Sequence, residues 1–196
     1  ISLSGEYVNS WININTNIYS NWFRNKIEGM WSNDQTELHY TNVGKSHLAG
    51  VETMCKVQIN RHINVHGAYN YLYTSKDADG VRLSSSSPHS GNIRAEYNTR
   101  IPRYATVVNL SGNIMGKKRF DVLDELEIEG KKVEAYYQAK VNPYCLWDLT
   151  VSQYIMQNLR ITAGITNLFD YTSDRVTFNT STSPGRNYFI ACNYTL

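Results

Sequence analysis

Residues 12–22 read ININTNIYSNW, and an extended chain sorts them onto two faces: Ile12, Ile14, Ile18 and Trp22 on one, Asn13, Asn15, Asn17 and Asn21 on the other. A period of two is the signature of a strand. The polar face is the informative one. A soluble sheet shows water Lys, Glu and Arg, whereas a row of Asn suits a wall that lines a crowded polar lumen. What the isoleucines face therefore decides the fold.

Outward from this stretch the same alternation recurs almost everywhere, and helical periodicity is nearly absent. Upstream, Ile1, Leu3, Gly5 and Tyr7 oppose Ser2, Ser4 and Glu6, with a turn at Asn9 and Ser10. A loop near residues 29–37 precedes a long stretch in which Val51, Thr53, Cys55, Val57 and Ile59 oppose Glu52, Lys56, Gln58 and Asn60. After a short turn at Arg61 and His62, Val65, Gly67, Tyr69, Tyr71 and Tyr73 oppose His66, Asn70 and Thr74. A serine-rich loop leads to Ile93, Ala95 and Tyr97, and the turn RIPRY to Val108, Leu110 and Ile114. Residues 120–140 are charged and alternate around Gly130, which predicts a solvated hairpin extension, with a short helix over 121–126 as the weaker alternative. Trp147, Leu149, Val151 and Ile155 form the next apolar row, then Leu159, Ile161, Ala163 and Ile165, and last Tyr188, Ile190, Cys192, Tyr194 and Leu196.

The pattern predicts an all-β chain of about nine strands, many of ten residues or more, where a soluble strand has about five or six. Short turns at Asn9, Arg61, Arg100 and Gln157 alternate with long loops, as in an antiparallel transmembrane β-barrel. Tyr and Trp at strand ends suit an interfacial aromatic girdle. A soluble sandwich with a Tyr-rich core is the alternative that strand length argues against.

Composition agrees. Charged residues are 18% of the chain, against about 25% in soluble domains, while aromatics reach 12%, with 15 Tyr and 4 Trp. A net charge of +2 gives no argument for nucleic acid. Ile1 opens in mid-pattern, so any signal sequence is expected to lie outside this chain. Cys55, Cys145 and Cys192 lack CxxC spacing and indicate neither a disulfide framework nor a zinc site.

Four segments carry a resemblance. YTNVGKSHLAGVE (40–52), NPYCLWDLTVSQY (142–154), LRITAGITNLFDY (159–171) and SPGRNYFIACNYTL (183–196) occur in the order and at the spacing seen in the C-terminal half of the barrel of TonB-dependent outer-membrane receptors, which the chain resembles over essentially its whole length. Those receptors are plugged 22-stranded transporters. The resemblance implies that residues 1–196 are part of such a barrel, with the plug domain absent from this chain. It implies location in the outer membrane of a Gram-negative bacterium, in contact with its lipid. It also implies a non-enzymatic function without a cofactor: a scarce small-molecule ligand such as a ferric siderophore, haem, cobalamin or a glycan binds at the outer loops, and the TonB complex supplies energy for import through the missing plug. Tyr188, Ile190, Cys192, Tyr194 and Leu196 would then be the terminal-strand signal read by the barrel-assembly machinery. The family usually ends on an aromatic residue, and Leu196 departs from that.

Three expectations follow for the structure. Tyr69, Tyr71, Leu149, Val151, Ile161 and Ile190 face outward. The fragment by itself has no gate and transports nothing. Its two edge strands either meet or pair with a second copy, because an unpaired edge cannot stay dry in lipid.

No catalytic set stands out, and an outer-membrane barrel enzyme or a soluble adhesin are the rival readings. His62 and His66, beside a short turn, are read as structural, and His39 and His89, on the long-loop side, as solvated. Asp121, Asp124, Glu125, Glu127 and Glu129 lack the spacing of a calcium loop. The Asn and Gly of NLFDY and SPGR are read as turn chemistry.

Overall fold

The alternation is realised as extended backbone, and the computed structural model describes residues 1–25, 27–31, 38–42, 45–75, 87–128, 131–156, 158–173 and 184–195. In chain order the strands are β1 (Ser2–Val8), β2 (Ile12–Arg24), β3 (Ile27–Trp31), β4 (Leu38–Asn42), β5 (Lys45–Gln58), β6 (Ile63–Thr74), β7 (His89–Asn98), β8 (Thr106–Met115), β9 (Lys118–Ile128), β10 (Lys131–Val141), β11 (Tyr144–Ile155), β12 (Leu159–Thr166) and β13 (Asn187–Tyr194). Nine of them form one antiparallel sheet in the order β1-β2-β5-β6-β7-β8-β11-β12-β13, and β3-β4 and β9-β10 are separate hairpins.

Register turns the sequence pattern into two surfaces. Opposed residues share a face, and Leu3↔Ile18, Ile18↔Val51, Val51↔Tyr71 and Tyr71↔His89 continue one row across five strands. On the far side, Leu110↔Leu149, Leu149↔Ile165 and Ile165↔Tyr188 continue the same surface. Tyr69, Tyr71, Leu149, Val151, Ile161 and Ile190 all lie on this face, as expected, while Asn13, Asn15 and Asn17 lie on the other.

Among the described residues no second layer covers the apolar face. Among the described residues the only buried hydrophobic side chain is Val141, whereas Ile18 is 52% and Ile190 81% exposed. The closed Tyr-rich core of a sandwich is therefore absent from the described residues.

The connections alternate as the sequence predicts. At one rim the short turns are closed by Asx chemistry: Asn60 Oδ1 accepts from the N–H groups of His62 (2.8 Å) and Ile63 (2.9 Å), and Asn98 Oδ1 accepts from that of Arg100 (2.8 Å). The turn at Gln157 lies outside the described residues, though Met156 beside it has a φ of 58°. The opposite rim holds the long connections.

Two details differ from the sequence reading. The loop near 29–37 begins as a strand, since Ile27–Trp31 pairs with Leu38–Asn42; five-residue strands interrupted by Gly29 show too little alternation to be recognised. Residues 118–141 form the expected hairpin, with Asp121–Leu126 inside β9 and not helical, while Glu129 and Gly130 lie outside the described residues.

The sheet is open. Among the described residues β1 pairs with β2 alone and β13 with β12 alone, so the first and last strands do not meet, and the outer edge of Tyr188–Tyr194 lacks the first-strand bonds expected of closure. Closing nine strands into a barrel requires a fixed tilt and stagger of its own, which the pairing of neighbours does not by itself impose.

Gly112 shows how closely the apolar face is packed along the strands. It opposes Trp147, and a Cβ there would come within 2.9 Å of three ring carbons. Gly112→Val is expected to displace the indole and cost about 1–3 kcal/mol. Urea unfolding of the intact protein in detergent checks this, and an unchanged midpoint would show that the ring moves freely.

Candidate functional site

The polar face is concave and forms the candidate site. Two adjacent rows cross its centre: Met54, Ala68, Asn92, Asn113 and Leu146, then Glu52, Asn70, Ser90, Met115 and Tyr144. Small and amide side chains make the floor, and larger ones stand at both ends. The resulting concavity has a volume of about 520 Å³. The Asn70 Oδ1 atom is buried there without a hydrogen-bond partner. An unpaired buried acceptor is costly, so it is a natural point for an incoming donor.

Ser46 Oγ, at the long-loop end of the same face, is buried without a partner as well, while other side chains of the wall pair with one another. Asn13 Nδ2 donates to Glu6 (3.1 Å), Ser4 Oγ to Asn17 (3.0 Å), and Arg94 Nε and Nη2 both donate to Asn109 Oδ1 (3.2 and 2.9 Å). Arg94 also approaches Glu96 at 3.6 Å. With its charge paired and half exposed, Arg94 adds little net field to the wall.

At the long-loop rim the motif NLFDY becomes a clamp. Asn167, 5% exposed with φ 52°, donates its backbone N–H to Asp148 Oδ1 (2.9 Å), and its Nδ2 donates to the carbonyls of Tyr171 (2.8 Å) and Pro184 (3.2 Å). The Tyr171 N–H returns to Asn167 Oδ1 (2.8 Å), and the Arg186 N–H donates to Asp170 Oδ1 (2.7 Å). The rings of Tyr144 and Tyr171 stack at 5.0 Å. One buried amide thus ties together both ends of the 167–186 connection. The turn chemistry read in NLFDY and SPGR is present, but its partners Asp148 and Pro184 are distant in sequence. The Arg186 guanidinium is raised above its ordinary pKa by the Tyr188 hydroxyl and, less, by Asp170, so it stays cationic.

Among the described side chains the histidines do not converge. His62 sits in a short turn with Nδ1 on the Asn98 carbonyl (2.8 Å), consistent with a structural role, and His66 is exposed on the polar face. His89 opens β7 and meets the Tyr69 hydroxyl through Nδ1 (2.7 Å), so it is not simply a solvated loop residue. The backbone at His39 is in β4. Sequence reasoning missed His47, which stacks on Trp22 with ring centroids 4.5 Å apart. Its Nε2 meets Ser20 Oγ at 2.8 Å. Among the described residues no three His, Cys, Asp or Glu side chains group as a metal site. Cys55, Cys145 and Cys192 are free thiols, all on the apolar face.

Aromatic residues mark both ends of the apolar face. Trp22, Tyr73, Tyr71 and Tyr188 stand toward the long loops, and Tyr7, Tyr97 and Tyr194 toward the short turns. From Ile63, opposite Tyr97, to Tyr73 the strand rises about 25 Å, taking about 3.4 Å per residue and a tilt of about 40°. That matches the apolar band of an outer-membrane barrel. Of the terminal-strand residues, Tyr188, Ile190, Cys192 and Tyr194 line up on this face opposite Ile165, Ala163, Ile161 and Leu159, while Leu196 lies outside the described residues.

Comparison with known proteins agrees with this geometry. The family model described as TonB dependent receptor-like, beta-barrel matches residues 1–168. Among solved structures, the siderophore receptor PirA of Acinetobacter baumannii is 16% identical with a TM-score of 0.73, over 98% of this chain and 31% of that one. A mutant ferric enterobactin receptor PfeA of Pseudomonas aeruginosa in complex with enterobactin is 17% identical with a TM-score of 0.73, over 98% and 30%. The ferripyoverdine receptor of the Pseudomonas aeruginosa outer membrane, bound to ferripyoverdine, is 17% identical with a TM-score of 0.72, over 97% and 26%. At these identities the likeness is one of fold, and the chain spans between a quarter and a third of each receptor. No curated protein matches the chain.

Asn167→Ala removes the amide that donates to the Tyr171 and Pro184 carbonyls, and loss of these two part-buried bonds is expected to cost about 0.5–1.5 kcal/mol each. Limited proteolysis is expected to cut the 167–186 connection faster in the variant than in the parent. Equal cutting rates would show that the remaining bonds hold the rim unaided.

Proposed function

The chain belongs to the TonB-dependent receptor β-barrel family, and on that premise we propose that it is wall of an outer-membrane transporter that imports a ferric siderophore. The observation that carries the reading is the single-layer sheet with its apolar face uncovered, bounded at both ends by aromatic residues, and its amide-rich face concave. Lipid covers the first face. The second lines the passage, where asparagines both donate and accept and so hold polar cargo without strong preference.

Ligand enters from the long-loop rim, and energy comes from the TonB complex acting through a plug carried by the rest of the receptor. The siderophore class is favoured over haem, cobalamin and glycans by the solved structures of like fold, whose names record siderophore receptors. The terminal strand, with Tyr188, Ile190, Cys192 and Tyr194 in one row and Leu196 at the end, is the segment offered to the barrel-assembly machinery. The protein is not an enzyme on this reading.

Two measurements test it. Growth of a strain lacking the intact receptor, supplied with one ferric siderophore at a time as iron source, should fail on one of them and recover on complementation; normal growth on every siderophore, with failure on haem or cobalamin, would change the ligand class. Arg in place of Val151 should cost about 2–4 kcal/mol if the position lies at the bilayer midplane. Refolding into vesicles with no cost there, and none for Leu149→Arg or Ile161→Arg, would count against lipid on that face.

A further inference from the structure

We propose that the long-loop end of β2 and β5 is a binding site for the phosphate of a membrane-lipid headgroup. Arg24 and Lys45 end these strands and stand directly opposite each other, both exposed. Their parity puts them on the apolar face, Arg24 two residues beyond Trp22 and Lys45 two before His47. Like charges opposed across a ladder weaken pairing unless an anion sits between them. Among the described residues neither cation is in an ion pair.

The ground beneath the pair is built from rings in contact. Trp22 and His47 are parallel to within 9°, and the Tyr73 ring meets the imidazole edge-on at 5.8 Å. The backbone N–H of His47 donates to Ser75 Oγ (2.9 Å), which fixes the neighbouring strand end. A concavity of about 290 Å³ opens here, lined by Trp22, Phe23, Arg24, Lys45, His47 and Ser75 among others. Five of the seven lining residues belong to the apolar face or directly follow β6, and Phe23 and Ser46, which oppose each other, have the opposite parity.

The chemistry selects the occupant. A guanidinium offers phosphate a planar fork, and an ammonium beside it adds a second point charge. Position selects a lipid over a free anion: the cations stand at the depth where an aromatic girdle meets headgroups, and Ile18, Val51 and Tyr71 continue below them as a track for acyl chains. The proposal rests on lipid covering the apolar face, and it is independent of which ligand is imported.

The test uses the intact receptor in phosphatidylcholine vesicles with one part in ten phosphatidic acid, and native mass spectrometry of the lipid retained on extraction. The parent should retain phosphatidic acid over phosphatidylcholine, and Arg24→Gln with Lys45→Gln should lower that preference about tenfold. Lys56→Gln, at an exposed position on the polar face, should leave it unchanged. An unchanged preference in a normally inserted double variant overturns the site. Should the double variant fail to insert, Lys45→Gln alone is read in the same way. Inorganic phosphate that displaces the lipid completely and binds equally in lipid-free micelles would make this a free-anion site and overturn the lipid assignment. A parent that does not insert into vesicles at all would instead overturn the membrane reading, and siderophore uptake that persists in the double variant keeps the two conclusions separate.

Discussion

A sheet one layer thick has no interior of its own, and everything else in this molecule follows from how its two faces are resolved. Backbone pairing satisfies the peptide groups within the sheet, so the remaining free energy is that of the side chains against whatever lies beyond. Apolar area buried is worth about 25 cal/mol per Å². With Ile18 and Ile190 largely exposed and only Val141 buried among the described hydrophobics, this chain does not collect that term by itself. A soluble fold would add a second sheet or a helix layer. Here the uncovered face is continuous from Leu3 to Ile190, and a solvent of hydrocarbon resolves it without another layer.

The same constraint bears on the edges. In water an unpaired strand is a template for association; in hydrocarbon it is untenable, because each lost backbone bond costs several kcal/mol. β1 and β13 each have one neighbour. The receptors of like fold are three to four times longer than the matched region.

How much of this could be read from the residues depended on range. β2 and β6 were legible because a period of two, Ile against Asn in the one and Val and Tyr against Asn and His in the other, persists over most of their length, and β9–β10 because charge alternates about Gly130. The β3–β4 hairpin was not, since IEGMW has neither length nor a clean period. Long-range partners were less legible still. Asn167 announced a turn, but that its amide reaches Pro184 and its N–H reaches Asp148 depends on β11–β12 pairing and on the return of the chain at residue 184. Ser20 and His47 meet across the β2–β5 ladder, a register that the intervening loop conceals. Local rules fix which face a residue takes; which residues meet on that face is set by pairing.

The two rims show where such a wall has room to specialise. At the short-turn rim, Asn60 and Asn98 spend their side chains on closing their own turns, which leaves little chemistry to vary. At the long-loop rim, polar side chains act between elements: Asn167 across its loop, Ser20 and His47 across strands, Arg24 against Lys45 at the boundary of the apolar band. An insertion at the first rim breaks a turn and the register of both flanking strands. At the second it lengthens a connection already anchored at its base, at an entropic cost that grows only with the logarithm of its length. Recognition can therefore diversify at one end while the sheet, its girdles and its register stay as they are.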